Sequence, residues 1–161
     1  GNDGFVDRIH EAVGEDVGLT TGANSVIAAL EALGVLGETG KNIAVITPYQ
    51  PIGDKNVRLF FEDSGYEVKE LVGLRCDNAG DAIALVPDHQ VMDIVKQVDS
   101  DDIDAIIQVG TNLSTAGIFP VMEKMLNKPL LPINVAGMWH ALRSCGINDQ
   151  YDHLGRLFEE H

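Results

Sequence analysis

The residues best suited to chemistry lie in one stretch, Gly110-Thr111-Asn112-Leu113-Ser114-Thr115. Its glycine follows a short apolar run, Ala105-Ile106-Ile107 continuing through Val109, of the kind that forms a strand buried on both faces. An apolar helical pattern then appears at Ile118, Val121, Met122, Met125 and Leu126. A strand, a glycine turn and a helix start expose backbone N–H groups at the carboxyl edge of a sheet. Those groups and the helix dipole favour a carboxylate or a phosphate. The plainer alternative is an ordinary turn in which Ser114 or Thr111 caps the helix. Thr20-Thr21 and Thr47-Pro48-Tyr49 read as two further polar strand ends on the same edge. Small hydroxyls, a phenol and a glycine turn together suit a small oxyanion. The sequence has no phosphate-loop lysine, GxGxxG, zinc-spaced His/Cys set or GxSxG elbow, so no cofactor is expected.

The elements that must position these groups alternate between strand and helix. Asn42 to Thr47 is a second buried strand, Tyr66 to Val72 alternates like a strand, and Leu130 to Ile133 is a short one. Helical spacing covers Phe5 to Val13, Val26 to Leu33 with Asn24 or Ser25 as cap, and Asn56 to Ser64. It recurs over Gln90 to Val98 and Val135 to Cys145, with a short helical turn over Ala82 to Val86. Pro48 to Gly53 reads as a turn, and the tail from Asn148 is polar with an anchor at Leu154, Leu157 and Phe158. This alternation predicts an α/β fold, a doubly wound, mostly parallel sheet flanked by helices. The strands at 42–47 and 104–109 should be adjacent and parallel. The first helix and the Thr20-Thr21 segment have no preceding strand to pack on, so residues 1–22 read as the end of a truncated N-terminal α/β domain. Residues 23–134 read as the C-terminal α/β domain, and 135–161 as a helix and tail packing back on the first. Apolar stripes on the first two helices, without their expected sheet, predict a homo-oligomer.

The 161 residues are 45% hydrophobic and 22% charged, an ordinary globular composition with enough chain for a real core. The net charge of −14 comes with no concentration of Lys or Arg, so nucleic acid and anionic membranes are poor partners. Any anionic substrate must be held by local donors against that global field. Two isolated cysteines, Cys76 and Cys145, and the absence of a long apolar run fit a reduced, cytoplasmic setting.

Five segments in order carry a family resemblance: Thr20 to Gly34, Ile43 to Tyr49, Gly110 to Thr115, Trp139 to Arg143, and Gly155 to Phe158. Together they resemble maleate cis-trans isomerase and arylmalonate decarboxylase of the aspartate/glutamate racemase superfamily, over nearly the whole chain. The resemblance implies two pseudo-symmetric α/β domains with the active site between them, each able to offer one cysteine at a strand end. The first cysteine would lie upstream of this chain's first helix. The second would fall at Gly110, where this sequence carries no thiol. The resemblance implies that Tyr49 binds substrate carboxylate, that Thr111 and Asn112 supply further donors, and that Asn78 belongs to the same site.

Racemisation by two bases needs an acid or base on each face of the substrate carbon, and glycine supplies neither. A thiol on one face alone suits decarboxylation with a single protonation, or isomerisation with protonation by another donor. The resulting expectation is an isomerase, racemase or decarboxylase acting on a small dicarboxylate, with this chain inactive alone. In a parent protein that keeps the first cysteine, Gly110→Cys is expected to introduce or enhance two-sided proton exchange. The alternatives are a carboxylate-binding module that lacks the second cysteine and its chemistry, and a flavodoxin-like binding domain. Cys76, in an irregular loop near Asn78, stays open as a catalytic residue. Cys145 reads as buried packing near a helix end, and His140 as structural.

Overall fold

Strand β1 (Asn42–Thr47) lies in the middle of the sheet and is almost wholly buried. A computed structural model describes residues 2–14, 17–37, 41–77 and 80–161. In it β1 pairs in parallel with β2 (Glu67–Gly73) on one side and with β3 (Ala105–Gln108) on the other. Strand β4 (Leu130–Pro132) extends β3, giving the order β2-β1-β3-β4, parallel throughout. The expected adjacency of the two strong strands is therefore observed, with Val45 opposite Ile107.

Alternation along the strands explains why helices cover both faces. Ile43, Val45, Ala105 and Ile107 belong to one apolar cluster, with Val26, Leu30, Phe61, Trp139 and Phe158. Ala44, Ile46 and Ile106 belong to the other, with Val91, Val95, Phe119 and Met122. Successive side chains of a strand point to opposite faces, so continuously apolar strands need helices on each side. The first layer is α2 (Gly22–Ala32), α3 (Pro51–Asp63), α7 (Ile133–Ser144) and the short α8 (Arg156–Glu160). The second is α5 (Asp88–Val98), α6 (Phe119–Leu126) and the short α4 (Gly80–Ala84). Helix α1 (Asn2–Val13) leaves Phe5 and Val13 exposed. Helix α7 packs on α2 and β4, and Phe158 seats α8 in the same core.

Several boundaries differ from those expected. Helix α2 starts at Gly22, and its cap is Thr21, whose Oγ1 accepts the Asn24 N–H at 3.1 Å. Thr20-Thr21 is thus a helix entry rather than a strand end, and Thr20 Oγ1 sits 2.6 Å from His140 Nδ1. That pairing agrees with a structural histidine. The proline-rich stretch after Tyr49 is the first turn of α3, because Pro51 occupies a position where a missing N–H costs nothing. Helix α7 starts at Ile133, two residues early. Cys145, expected to be buried, is exposed, because it falls just past the last turn of α7. Among the described residues no helix is long and apolar enough to cross a membrane.

Candidate active site

The chain leaves β1 for β2 on one side of the sheet and reaches β3 on the other. The carboxyl ends of β1 and β3 therefore flank the point where the winding reverses, the crevice where open α/β sheets bind ligands. Tyr49 follows β1 and Gly110 follows β3, two residues past each strand. The turn after β3 is held from within. The Gln108 side chain donates to the Gly110 carbonyl at 2.8 Å and accepts from the Thr115 hydroxyl at 2.8 Å. The Leu113 N–H donates back to the Gly110 carbonyl at 3.0 Å, while Leu113 and Thr115 are buried. Asn134, at the start of α7, donates to the Thr111 carbonyl at 2.9 Å.

The expectation that a helix begins at this turn is corrected. Helix α6 starts at Phe119 with Ile118 as its cap residue, and neither Thr111 nor Ser114 caps it. The reason is that Leu113 and Thr115 tuck inward and Pro120 favours the first turn of a helix further on. The crevice at Gly110 is therefore bordered by the turn itself and not by the start of α6.

Gly110 has φ +98, a conformation that favours glycine. A Cβ built there would stand 2.5 Å from both Cγ and Cδ of Pro48, and 3.6 Å from Cζ of Tyr49. The phenol end of Tyr49 therefore lies over Gly110, and no space is left at position 110 for a side chain. The expectation that a thiol is restored there by simple substitution is revised for that reason.

Tyr49, Gly110 and Thr111 line two cavities. One, of about 360 Å³, is walled by apolar side chains of α2, α3 and α7, including Val26, Val57, Phe60 and Ile133. The other, of about 200 Å³, adds Pro48, Ile83 and Asn112. Tyr49, Thr111 and Asn112 are thus brought together at Gly110, and Asn78 lies outside the described residues. Cys76 lines a neighbouring cavity of about 250 Å³ with Pro48 and Tyr49. Its N–H donates to the Pro48 carbonyl at 3.1 Å. Burial raises the Tyr49 phenol above its ordinary value of 10.0, so the O–H remains a donor at neutral pH. Among the described residues no cluster of His, Cys, Asp and Glu could hold a metal ion.

Sequence reading marked Thr47 only as part of a polar strand end and missed Asp54 and Arg75, which complete the hold on Tyr49. Its N–H donates to Thr47 Oγ1 at 3.1 Å, and its carbonyl accepts from Arg75 at 3.2 Å. Thr47 and Arg75 both bond to the buried carboxylate of Asp54, in the first turn of α3. The available signal was an acidic residue one helical turn after a proline-led helix start.

The sequence profile of the arylmalonate decarboxylase family matches residues 2–158. The chain belongs to this family. Among solved structures it is similar to the Nocardia farcinica maleate cis-trans isomerase, solved as a cysteine-to-serine mutant with a covalently bound succinylcysteine intermediate. The TM-score is 0.84 and the identity 21%, over 96% of this chain and 62% of that one. The Pseudomonas putida maleate isomerase matches with TM-score 0.83 and 23% identity, over 95% and 60% of the two chains. A glycine-to-cysteine mutant of arylmalonate decarboxylase in a sulfate-associated form matches with TM-score 0.84 and 25% identity, over 99% and 66%. The chain therefore spans 60–66% of the length of these three relatives. A comparison with curated protein sequences gives no significant match. Membership in the family sets aside the flavodoxin-like alternative.

Proposed function

We propose that the crevice between β1 and β3 is the carboxylate-holding half of a cofactor-independent isomerase or decarboxylase site for a small dicarboxylate. One observation carries the reading: the phenol end of Tyr49 lies over the Gly110 turn, where a carboxylate can take an O–H and backbone N–H donors together. Thr111 and Asn112 frame that position, and the apolar cavity of about 360 Å³ receives the rest of the substrate. In decarboxylation the bond to the departing carboxylate breaks as CO₂ leaves. Its electron pair passes into the remaining carboxylate as an enediolate. The donors around Tyr49 and Gly110 are aimed at that charge, and the carbon then takes one proton. With glycine at 110, the proton or the nucleophilic thiol comes from the opposite face. In this reading it is supplied by the N-terminal α/β domain that residues 1–22 close, and this chain alone does not turn over. Residues 23–134 form the C-terminal domain. Residues 135–161, whose helix α7 packs on α2 and whose Phe158 lies in the same apolar core, reach the first domain with their outer face. A cytoplasmic homo-oligomer completes the reading, and sedimentation at micromolar concentration tests the association.

The second reading, a carboxylate-binding module without chemistry, is favoured by the same closed position at Gly110. Calorimetric titration with malonate, maleate and phenylmalonate tests the binding shared by both readings. Tyr49→Phe keeps the ring and removes one charge-assisted donor, so affinity falls by roughly 1.5–3 kcal/mol, about ten- to a hundred-fold. Unchanged affinity would mean that Tyr49 only packs. Turnover assays on the whole protein separate enzyme from binder.

A further inference from the structure

We propose that Asp54 is the positioning residue of this site, holding Tyr49 in place from both sides of its backbone. The proposal rests on the reading of Tyr49 as the carboxylate-binding group. Asp54 is 6% exposed and sits beneath the β1 carboxyl end. On one side its carboxylate accepts from the hydroxyl of Thr47, itself fully buried. The same hydroxyl oxygen accepts the Tyr49 N–H at 3.1 Å. On the other side Asp54 accepts from Arg75, whose Nη1 also donates to the Tyr49 carbonyl at 3.2 Å. The peptide groups before and after the Tyr49 Cα are thereby clamped, each through one intermediary, to a single carboxylate.

The surroundings are shaped for this arrangement. A Cβ on Gly73 would meet the Asp54 carboxylate and stand 2.6 Å from Arg75 Nη1, so glycine there lets the pair lie directly over the end of β2. Arg75 itself takes a positive φ of 55 to turn back onto the pair. On α3, a Cβ on Gly53 would lie 2.8 Å from the Tyr49 Cβ, so the tyrosine passes at the closest approach a glycine allows. None of these contacts belongs to either apolar core cluster, and all of them converge on one phenol-bearing residue.

Asparagine at position 54 keeps the shape but turns one acceptor oxygen into an NH₂ group. Its single oxygen accepts from only one of Thr47 and Arg75, and in either orientation the charge-assisted hold of a carboxylate on Arg75 is lost, so the clamp loosens. The probe is fluorine NMR of the protein labelled with 3-fluorotyrosine. Its three tyrosines give three signals, and Tyr49→Phe assigns the one of interest. In Asp54→Asn the Tyr49 signal moves towards the position of free fluorotyrosine while those of Tyr66 and Tyr151 stay, which also reports an intact fold. Malonate affinity drops about ten-fold. If all three signals move, Asp54→Asn has disturbed the fold, and Arg75→Gln decides. It removes the donor to the Tyr49 carbonyl from a half-exposed side chain, and must shift the Tyr49 signal alone. An unmoved Tyr49 signal in the deciding variant overturns the proposal, as does a moved signal with unweakened malonate binding. If malonate binds Tyr49→Phe as tightly as the unmutated protein, the carboxylate reading fails. The fluorine signals then still show whether Asp54 positions the tyrosine.

Discussion

Replacing Gly110 by alanine adds one carbon at the tightest point of the site. The backbone there has φ +98, and forcing an L side chain into left-handed backbone costs about 1–2 kcal/mol. The new carbon would stand 2.5 Å from two carbons of the Pro48 ring, against the roughly 3.5–4.0 Å at which carbons pack. Pro48 cannot swing aside freely, because its ring is part of the backbone and its carbonyl accepts the Cys76 N–H. Overpacking of this kind adds about 1–3 kcal/mol. The two effects together predict a loss of about 2–5 kcal/mol, or about 4–20 °C in Tm for a chain of this size. Trp139, the single tryptophan and a buried one, reports unfolding in urea by fluorescence. Gly110→Cys is expected to lose at least as much. A Gly110→Ala variant within about 0.5 kcal/mol of the unmutated protein, with the same m-value, would refute both the strain and the collision. The site would then be open to a side chain at 110.

Two further perturbations test the layers that hold the site. Glu123 of α6 is buried and accepts from the N–H groups of Leu130 at 3.1 Å and Arg156 at 2.8 Å, tying β4 to α8. Burial holds its carboxyl above the ordinary value of 4.5, against the smaller opposing pull of the two N–H donors. With the folded value raised, stability from this group is fully present below the ordinary value and lost as pH rises through the raised one. The stability of the unmutated protein relative to Glu123→Gln should accordingly shrink from pH 4 towards neutral. Urea titrations in which the gap widens in favour of Glu123 would contradict this. Phe61 is fully buried and meets Phe60 and Tyr66 edge-on, with ring centroids 5.1 and 6.2 Å away. Phe61→Ala should cost about 3–5 kcal/mol, and a loss below about 1.5 kcal/mol would mean that the α3 layer collapses to refill the space.

Periodicity by itself determined the layered α/β architecture. Continuous apolar runs at Ile43 to Ile46 and Ala105 to Ile107, bounded by turn formers, read as strands covered on both faces, and strands of that kind are parallel. Tyr49 and the Gly110 turn stood out in the sequence as candidates because their types are unusual just past buried strands, and the fold brings them together around shared cavities. The order of the strands, and hence the winding reversal between β1 and β3, depended on which crossover packed on which face, a long-range matter absent from local pattern. Three-dimensional packing alone decided that α6 starts at Phe119, since inward burial of Leu113 and Thr115 overrode the local cap signals. It alone placed the Pro48 ring where a side chain on Gly110 would go. The grouping of Thr47, Asp54 and Arg75 also came only from the folded chain. Thr47 and Asp54 are seven residues apart and Arg75 comes from the end of another strand, so no sequence spacing announces that they share one charge.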